Sequence, residues 1–194
     1  MRHRSGVKDY PLDGSKPTLP GRILVCTPSN VSADEICVRI AATGVKVVRL
    51  MAASREDMKS PIDELCVHVR AKNMLMERDA EFRRIQNMWE NDDSMLTERE
   101  DRMRYRAMKQ KKEEVLEGAE VVVCTCDTSG CSLLMDKVFN TVLIDEVSQT
   151  TEPESLVPLV HGAERVVLVG DHKQLAPVII SLPVKKAGME RSVF

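Results

Sequence analysis

The chain has 194 residues, a length typical of one domain or slightly more. Charged residues make up 30% of it and the net charge is −2, which excludes a generally polyanion-binding protein but leaves room for a local basic stripe. The longest uncharged stretches, residues 23–33 and 174–184, are much shorter than the ~20 apolar residues of a membrane helix. Residues 1–6 are basic but precede no apolar core, so we expect neither a membrane span nor a secretory signal.

Residues 1–20 contain several Gly and Pro and predict a flexible segment. Short apolar runs then alternate with helical patterns along residues 21–54 and again along residues 118–194. This alternation is typical of an α/β domain with a mainly parallel sheet flanked by helices. The predicted strands cover residues 23–26, 45–50, 121–124, 141–144 and 166–169, and the predicted helices outside the central block cover residues 30–42 and 152–159.

The central block, residues 55–117, has a different composition. Charged residues occupy 30 of its 63 positions, while apolar residues recur at helical spacing from about residue 62 to residue 89. Polar residues at 91–94 interrupt this pattern, and Thr97 suits the N-cap of a second helix that runs to residue 117. We therefore predict a charged helical hairpin inserted into the α/β domain.

An apolar strand that ends in two adjacent carboxylates is the strongest chemical signal. Asp145 and Glu146 directly follow the strand predicted at residues 141–144. Ligands of parallel α/β sheets bind beyond the carboxyl ends of the strands, where a carboxylate can hold Mg²⁺ beside nucleotide phosphates. The neighbouring glutamate can activate an attacking water. The alternative is a strand end that carries two ordinary solvent-exposed acids.

Other predicted strand ends also carry polar residues. Gln174 follows the last strand and offers an amide to a γ-phosphate or its attacking water. Ser29 and Asn30 follow the first strand, and Thr125 and Thr128 follow the third. Their hydroxyl and amide groups suit phosphate contacts that do not depend on base sequence. The alternative for these four residues is helix capping, which Ser29 or Asn30 would serve well.

The six cysteines predict buried reduced thiols rather than a metal site. Cys124, Cys126 and Cys131 are close in sequence, but the chain has no Cys-x-x-Cys pair and no nearby histidine to complete a zinc set. We expect these residues to behave as small buried hydrophobes on or beside strands.

Three motifs in order along the chain resemble those of superfamily 1 helicases. Motifs Ia, II and III of that superfamily are similar to Cys26-Thr27-Pro28-Ser29-Asn30, Asp145-Glu146-Val147-Ser148-Gln149 and Gly170-Asp171-x-x-Gln174-Leu175. Further stretches resemble the up-frameshift helicases of nonsense-mediated mRNA decay, and this similarity covers about residues 21–194. These stretches include Val47-Val48-Arg49-Leu50, Ser54-Arg55-Glu56, Tyr105-Arg106-Ala107, Thr151-Glu152-Pro153-Glu154 and Lys185-Lys186-Ala187-Gly188.

The resemblance implies that residues 21–54 and 118–194 form most of a RecA-like domain. It implies ATP and Mg²⁺ as cofactors, with Asp145 holding the metal ion. Glu146 would activate the hydrolytic water, and Gln174 would sense the γ-phosphate. A cytoplasmic location and mRNA-decay factors as partners are implied in the same way.

The resemblance also implies an RNA site. Ser29, Asn30, Thr125 and Thr128 would lie near the backbone of single-stranded RNA, bound without sequence preference. Residues 55–117 would match the helical insert that the family places near its RNA channel.

One face of the insert's second helix carries basic residues at a spacing of three and four, which could contact phosphates. The alternative for this stripe is a solvated face with helix-stabilising ion pairs. The residues are Arg99, Arg102, Arg106 and Lys109.

The sequence departs from the helicase pattern in one important way. It contains no Gly-x-x-x-x-Gly-Lys-Ser/Thr phosphate loop, and the family's second RecA-like domain is also absent. We therefore expect little or no ATPase activity from the isolated chain, and a sheet with an exposed edge or apolar face. Our first hypothesis is a segment of an ATP-dependent RNA helicase of mRNA surveillance. The alternatives are a non-catalytic RNA- or protein-binding truncated relative, or a related helicase that acts on DNA or tRNA.

Overall fold

In the described part of the chain, five parallel strands form one sheet in the order β2-β3-β1-β4-β5. The computed structural model describes residues 21–91 and 96–193, so the segment 1–20 and most of the predicted break at 91–94 lie outside the described residues. Every neighbouring pair of strands is parallel, which confirms the predicted α/β class. The strands are β1 (Ile23–Thr27), β2 (Val47–Arg49), β3 (Val121–Thr125), β4 (Thr141–Ile144) and β5 (Arg165–Leu168).

Helices connect the strands and cover the sheet. None of the helices within residues 21–91 and 96–193 is long and apolar enough to cross a membrane. Short 3₁₀ turns lie at Ala53–Arg55, Asp63–Leu65, Val147–Gln149 and Val157–His161. The α-helices are α1 (Asn30–Ala41), α2 (Val67–Arg78), α3 (Ala80–Glu90), α4 (Glu98–Glu117), α5 (Cys126–Ser129), α6 (Glu152–Leu156) and α7 (Leu182–Lys186).

Successive strand residues point to opposite faces of the sheet, and each face has its own buried cluster. On one face, Ala33 and Cys37 of α1 pack with Val25 and Val123. Burial of each large apolar side chain contributes roughly 1.5–3 kcal/mol, so these two clusters hold the helices on the sheet. The cluster on the opposite face includes Leu24, Val122, Val142, Leu116 and Phe139.

The insert is helical, as predicted, but its first arm consists of two helices instead of one. The prediction was wrong at Asp79, which leaves the helical conformation with φ −117° and ψ 103°. Its carboxylate accepts a hydrogen bond from the N–H of Phe82 at 2.9 Å and so caps α3. Aspartate favours such a cap over a position inside a helix, and this preference overrides the apolar periodicity on either side.

Two other elements are shorter than predicted. Strand β2 covers only Val47–Arg49 of the predicted residues 45–50. Helix α6 ends at Leu156, and the rest of the predicted helix is the 3₁₀ turn Val157–His161. Pro158 lies at the start of that turn and has no N–H to continue the α-helical ladder.

Strand β5 is an apolar edge of the sheet. Its residues Val166, Val167 and Leu168 are 37–43% exposed, although strands of parallel sheets are usually buried on both faces. Val178 and Ile180, in the segment that follows, are also strongly exposed. Among the described strands, β5 therefore presents an exposed apolar edge.

A capping box starts α4. The Oγ1 atom of Thr97 accepts the N–H of Glu100 at 3.3 Å, and the Glu100 carboxylate accepts the N–H of Thr97 at 3.1 Å. Arg84 of α3 also donates to this carboxylate at 2.8 Å, which connects the two helices. The Thr97 hydroxyl, which donates to the Glu100 carboxylate at 2.7 Å, lowers the pKa of Glu100 to about 2, together with the bonds from Arg84 and from the N–H of Thr97.

We predict that Glu100→Gln lowers the melting temperature at neutral pH and that this difference disappears in acid. The unfolded-state pKa of a glutamate is about 4.3, so the folded-state pKa is depressed. The ionised Glu100 carboxylate therefore stabilises the fold above the unfolded-state pKa, and this stabilisation is lost as the pH falls towards 2. Thermal unfolding between about pH 6 and pH 2.5 measures the difference between the two proteins. Glu77→Gln on α2 is the control, and a wild-type–Glu100→Gln difference that stays constant with pH would contradict the prediction.

Candidate functional site

The carboxyl ends of β1, β3, β4 and β5 lie along one edge of the sheet. The strand registers align Cys26 with Cys124 and with Ile144, and Ile144 with Leu168. The polar segments that follow these residues therefore emerge at the same edge. The structure thus brings the predicted strand-end residues to one side of the sheet: Ser29, Asn30, Thr125, Thr128, Asp145, Glu146 and Gln174.

Asp145 and Glu146 form a tight turn directly after β4. The N–H of Asp145 donates to the carbonyl of Cys26 at 2.9 Å, which ties the turn to β1. The N–H of Glu146 donates to Oδ1 of Asp145 at 3.0 Å. Glu146 has φ 55° and ψ 34°, a left-handed conformation that is unfavourable for a residue with a Cβ atom. Such backbone strain is concentrated at functional sites, so it supports the choice of this turn.

Gln149 holds the side chain of Glu146. Its Nε2 atom donates to Oε2 of Glu146 at 2.9 Å. Gln149 ends the 3₁₀ turn Val147–Gln149, in which Val147 and Ser148 are buried. The packed turn therefore fixes the Glu146 carboxylate beside Asp145. Sequence reasoning named Gln149 only as part of a motif and assigned it no contact.

Ser148 connects this turn to the segment that follows β5. The N–H of Asp171 donates to Oγ of Ser148 at 3.3 Å, and Nε2 of Gln174 donates to Oδ2 of Asp171 at 3.3 Å. The N–H of Lys173 and the amide of Gln174 lower the pKa of Asp171. A Cβ atom at Gly170 would lie 3.0 Å from the backbone nitrogen of Ser148, so a larger residue there would have to push the two segments apart by a few tenths of an ångström.

Ser29 and Asn30 begin α1, and each has a partner within the chain. Ser29 is the N-cap, and its Oγ atom accepts the N–H of Ser32 at 3.1 Å. The Oδ1 atom of Asn30 accepts a hydrogen bond from Nη2 of Arg49 at 2.8 Å. The capping alternative is thus observed for Ser29, although its side chain remains exposed at the sheet edge.

Thr125 and Thr128 form a second cap at the same edge. Thr125 is the N-cap of α5, and its Oγ1 atom lies 2.8 Å from that of Thr128. Thr128 is only 8% exposed, whereas Thr125 is half-buried. Of the two hydroxyls, that of Thr125 is therefore the more accessible to a ligand.

A fully buried arginine supports the start of α1. Arg49 donates to Oδ1 of Asp34 at 2.7 Å, to Oδ1 of Asn30 at 2.8 Å and to the carbonyl of Leu50 at 2.5 Å. The Arg49 side chain has no exposed surface, and that of Asp34 is 24% exposed. Sequence reasoning missed this network, for which the only signal was a charged residue within an otherwise apolar strand.

The predicted basic stripe is found on the exposed surface of α4. Arg102 donates to the Glu98 carboxylate at 3.2 Å, so the alternative of a helix-stabilising pair applies to this residue. Among the residues that the structure describes, Arg99, Arg106 and Lys109 form no ion pair. The stripe therefore retains uncompensated positive charge.

The cysteines near the strand ends lie in the core, as expected. Cys26, Cys124 and Cys126 are fully buried, and the Sγ atoms of Cys26 and Cys124 are 3.8 Å apart. Hydrogen bonds with Cys124 and Cys126, together with burial, raise the pKa of Cys26 well above its ordinary value. Within the described ranges, no cluster of three or more potential ligands could hold a metal ion.

We predict that Asp34→Ala destabilises the fold by about 3–5 kcal/mol, since it leaves Arg49 as a buried charge without its counter-ion. The double variant Asp34→Ala/Arg49→Met removes both charges and should recover part of this loss. Urea unfolding measures the free energy of unfolding of each protein. Equal stability of the single and double variants would contradict the view that Asp34 stabilises the fold by neutralising Arg49. Glu35→Ala on the same helix is the control.

The chain matches the model of the AAA domain family over residues 5–102 and 75–182. It is 41% identical over 175 residues to the "Regulator of nonsense transcripts 1 homolog" of Arabidopsis thaliana and 42% identical over 175 residues to its namesake in Neurospora crassa. It is also 41% identical over 175 residues to the "ATP-dependent helicase NAM7" of Saccharomyces cerevisiae. The predicted resemblance to the up-frameshift helicases is thereby confirmed.

These alignments cover 89–90% of this chain but only 14–17% of the relatives. The chain therefore spans about a sixth of the length of the curated relatives that it matches.

Proposed function

Since the chain belongs to the AAA domain family, we propose that it is a segment of an ATP-dependent RNA helicase that acts in nonsense-mediated mRNA decay. The observation that carries this proposal is the hydrogen-bonded link from the Asp145–Glu146 turn through Ser148 to Asp171 and Gln174. We also propose mRNA-decay factors as partners, which the name "Regulator of nonsense transcripts 1 homolog" supports, and the cytoplasm as the location.

Asp145 and Glu146 supply the carboxylates for ATP hydrolysis. Oδ1 of Asp145 accepts the N–H of Glu146, and Oδ2 is a hard oxygen ligand of the kind that Mg²⁺ takes beside nucleotide phosphates. When bound, the metal ion neutralises charge on those phosphates. Glu146, oriented by Gln149, positions the attacking water and accepts its proton.

Gln174 senses the γ-phosphate in this proposal. Its side chain is exposed and bonds to Asp171, which the neighbouring N–H groups keep ionised. A change in the partner of Gln174 would be felt at Asp171 and, through Ser148, at the turn that carries Glu146. These linked hydrogen bonds support a coupling between the presence of the γ-phosphate and the conformation of the Asp145–Glu146 turn.

Single-stranded RNA is the proposed polymer ligand. Ser29, Asn30 and Thr125 present hydroxyl and amide groups at the edge that also carries the carboxylates, and Thr128 positions Thr125 through their shared hydrogen bond. Such groups contact the RNA backbone without reading bases, so binding is independent of sequence. The basic residues of α4 add phosphate contacts from the insert, namely Arg99, Arg102 and Arg106.

For these 194 residues taken alone, a non-catalytic RNA- or protein-binding role is the second candidate. The observation in its favour is the absence of a Gly-x-x-x-x-Gly-Lys-Ser/Thr loop from the 194 residues. That loop supplies the N–H groups and the lysine that grip the β- and γ-phosphates.

We predict that the isolated chain binds ATP weakly and hydrolyses little or none of it. Each missing charge-assisted contact removes roughly 1.5–3 kcal/mol of affinity. Isothermal titration calorimetry with MgATP, together with a phosphate-release assay, tests this. Micromolar ATP affinity of the isolated chain would contradict it.

In the longer protein that carries this segment, we predict that Glu146→Gln reduces ATP turnover by a factor of about 10²–10⁴ and leaves ATP binding intact. Glutamine keeps the size of the side chain but cannot accept a proton from water. Steady-state turnover and equilibrium ATP binding are measured on the same preparation.

Glu152→Gln is the matched control, because Glu152 is an exposed acid on α6 outside the Asp145–Glu146 turn. Its turnover should equal that of the wild type. Unchanged turnover in Glu146→Gln would overturn the role assigned to Glu146.

A further inference from the structure

Strand β5 is the last strand of the described sheet, so one side of it has no neighbouring strand. The N–H of Val169 donates to the carbonyl of Ile144, and its C=O accepts the N–H of Val147, each at 2.9 Å. Both backbone groups of Val169 therefore point towards β4, and in a parallel strand those of alternate residues point to opposite sides. We call the residues whose backbone groups point away from β4 the β5 edge. They are Val166, Leu168 and Gly170.

The β5 edge lacks the features that usually keep the last strand of a sheet from pairing with another chain, such as an inward charge or a proline. Between Arg165 and Asp171 there is no charged residue and no proline. The four residues 166–169 are each 37–46% exposed, and their side chains point alternately to the two faces of the sheet. A strand added here would therefore cover apolar side chains on both faces.

Two opposite charges bound this apolar run. Arg165 is exposed and, among the residues that the structure describes, forms no ion pair. Asp171 accepts the N–H of Lys173 at 2.9 Å and the amide of Gln174 at 3.3 Å, and these bonds lower its pKa. An ionised carboxylate has about four acceptor positions, so Asp171 can also accept from an arginine. Its own N–H donates to Ser148 on the β4 side, so the alternation of the strand continues as far as Asp171.

Symmetry and charge select one register for two copies of this strand. A two-fold axis perpendicular to the sheet makes the two strands antiparallel. An axis at residue 167, 168 or 169 lets the outward backbone groups of both strands face one another. The axis at Leu168 places Arg165 opposite Asp171 of the second copy. An axis one residue later would place Arg165 opposite Lys173, and one residue earlier opposite Val169, so only the axis at Leu168 pairs the charges.

We propose that the β5 edge joins two copies of this chain into a dimer with one continuous ten-stranded sheet, five strands from each copy. Leu168 lies opposite Leu168 of the second copy, and Val167 lies opposite Val169 of the second copy. Two Arg165–Asp171 ion pairs, related by the two-fold axis, close the ends of the paired strands. Opposite charges and apolar side chains at such cross-strand positions both stabilise an antiparallel pair.

The dimer reaches the candidate site through these ion pairs. Asp171 is the residue that accepts the side-chain amide of Gln174. Each copy thus places a cation beside the segment that the proposed function assigns to the γ-phosphate. The pairing itself does not rest on that function, and a further strand of a longer protein would compete with the second copy for the same edge.

Exchange of the two charges tests the register. Analytical ultracentrifugation of the 194-residue chain between about 1 and 200 µM measures the dissociation constant, which we expect in this range because one pair of short strands is a small interface. Arg165→Asp and Asp171→Arg each place like charges opposite one another and should weaken the dimer about tenfold. The double variant Arg165→Asp/Asp171→Arg restores both ion pairs and should return to within about threefold of the wild type.

A lysine on the β5 edge tests the strand pairing itself. Leu168→Lys places two like charges at the two-fold axis and should give a monomer throughout the same concentration range. Val178→Lys is the matched control, because Val178 is 85% exposed but lies outside β5, and it should dimerise as the wild type does. Far-UV circular dichroism shows whether each variant is folded. Should Leu168→Lys fail to fold, the charge exchange still decides the question.

Cysteine variants locate the two-fold axis. Under mild oxidation with diamide, Leu168→Cys should form a disulfide-linked dimer, because the Cα atoms of directly opposite residues are about 5.5 Å apart, within reach of a disulfide. Val167→Cys and Val169→Cys should not, since each lies about 7–8 Å from its own counterpart in this register. The wild-type chain is the control for its native cysteines.

Three results would overturn the inference. One is a wild-type chain that stays monomeric at every concentration. Another is a dimer that neither the charge exchange nor Leu168→Lys alters, because its copies are then joined elsewhere. The third is slow hydrogen exchange of the Leu168 N–H in the monomer, which would mean that other residues of the same chain cover the edge. None of these measurements involves ATP or RNA, so their failure leaves the proposed function in place.

Discussion

The parallel pairing of β4 with β1 on one side and β5 on the other is the constraint on which the candidate site depends. It brings the polar segments after these strands to one edge, although they are far apart in sequence. Backbone hydrogen bonds attach the turn after β4 to both neighbouring strand ends. The N–H of Asp145 donates to the carbonyl of Cys26 in β1, and the N–H of Val147 donates to the carbonyl of Val169, directly after β5. These two backbone hydrogen bonds hold the carboxylate pair between β1 and the end of β5.

The Asp145–Glu146 turn and the start of α1 are both held by hydrogen bonds from side chains to which we assign no ligand. Gln149 holds the carboxylate of Glu146, and Ser148 holds the turn beside Asp171. The buried Arg49 donates a hydrogen bond that holds the side chain of Asn30. Buried polar groups of this kind are costly unless fully bonded, so they specify one arrangement of the edge. The chemistry proposed for the edge thus requires the core to be correctly packed first.

Much of this arrangement is predictable from the sequence. Apolar runs ending in Asp145–Glu146 and before Gly170 predict strands β4 and β5, and parallel topology then predicts which residues meet. The break at Asp79 was not predicted, because its neighbours keep a helical period while its own side chain favours a cap. The contacts of Arg49 and Gln149 depend on side-chain conformation and long-range approach, which no local pattern contains. The left-handed backbone of Glu146 likewise arises from tertiary constraints, since glutamate has no intrinsic preference for it.

The central claim is that one edge of the sheet serves both nucleotide hydrolysis and RNA binding. It is tested most directly by measuring ATP turnover of the longer protein that carries this segment, with and without single-stranded RNA. The account predicts that saturating RNA raises turnover, and that it does so with RNAs of unrelated sequence. Turnover that is identical with and without RNA would contradict the shared edge, as would stimulation by one base sequence alone.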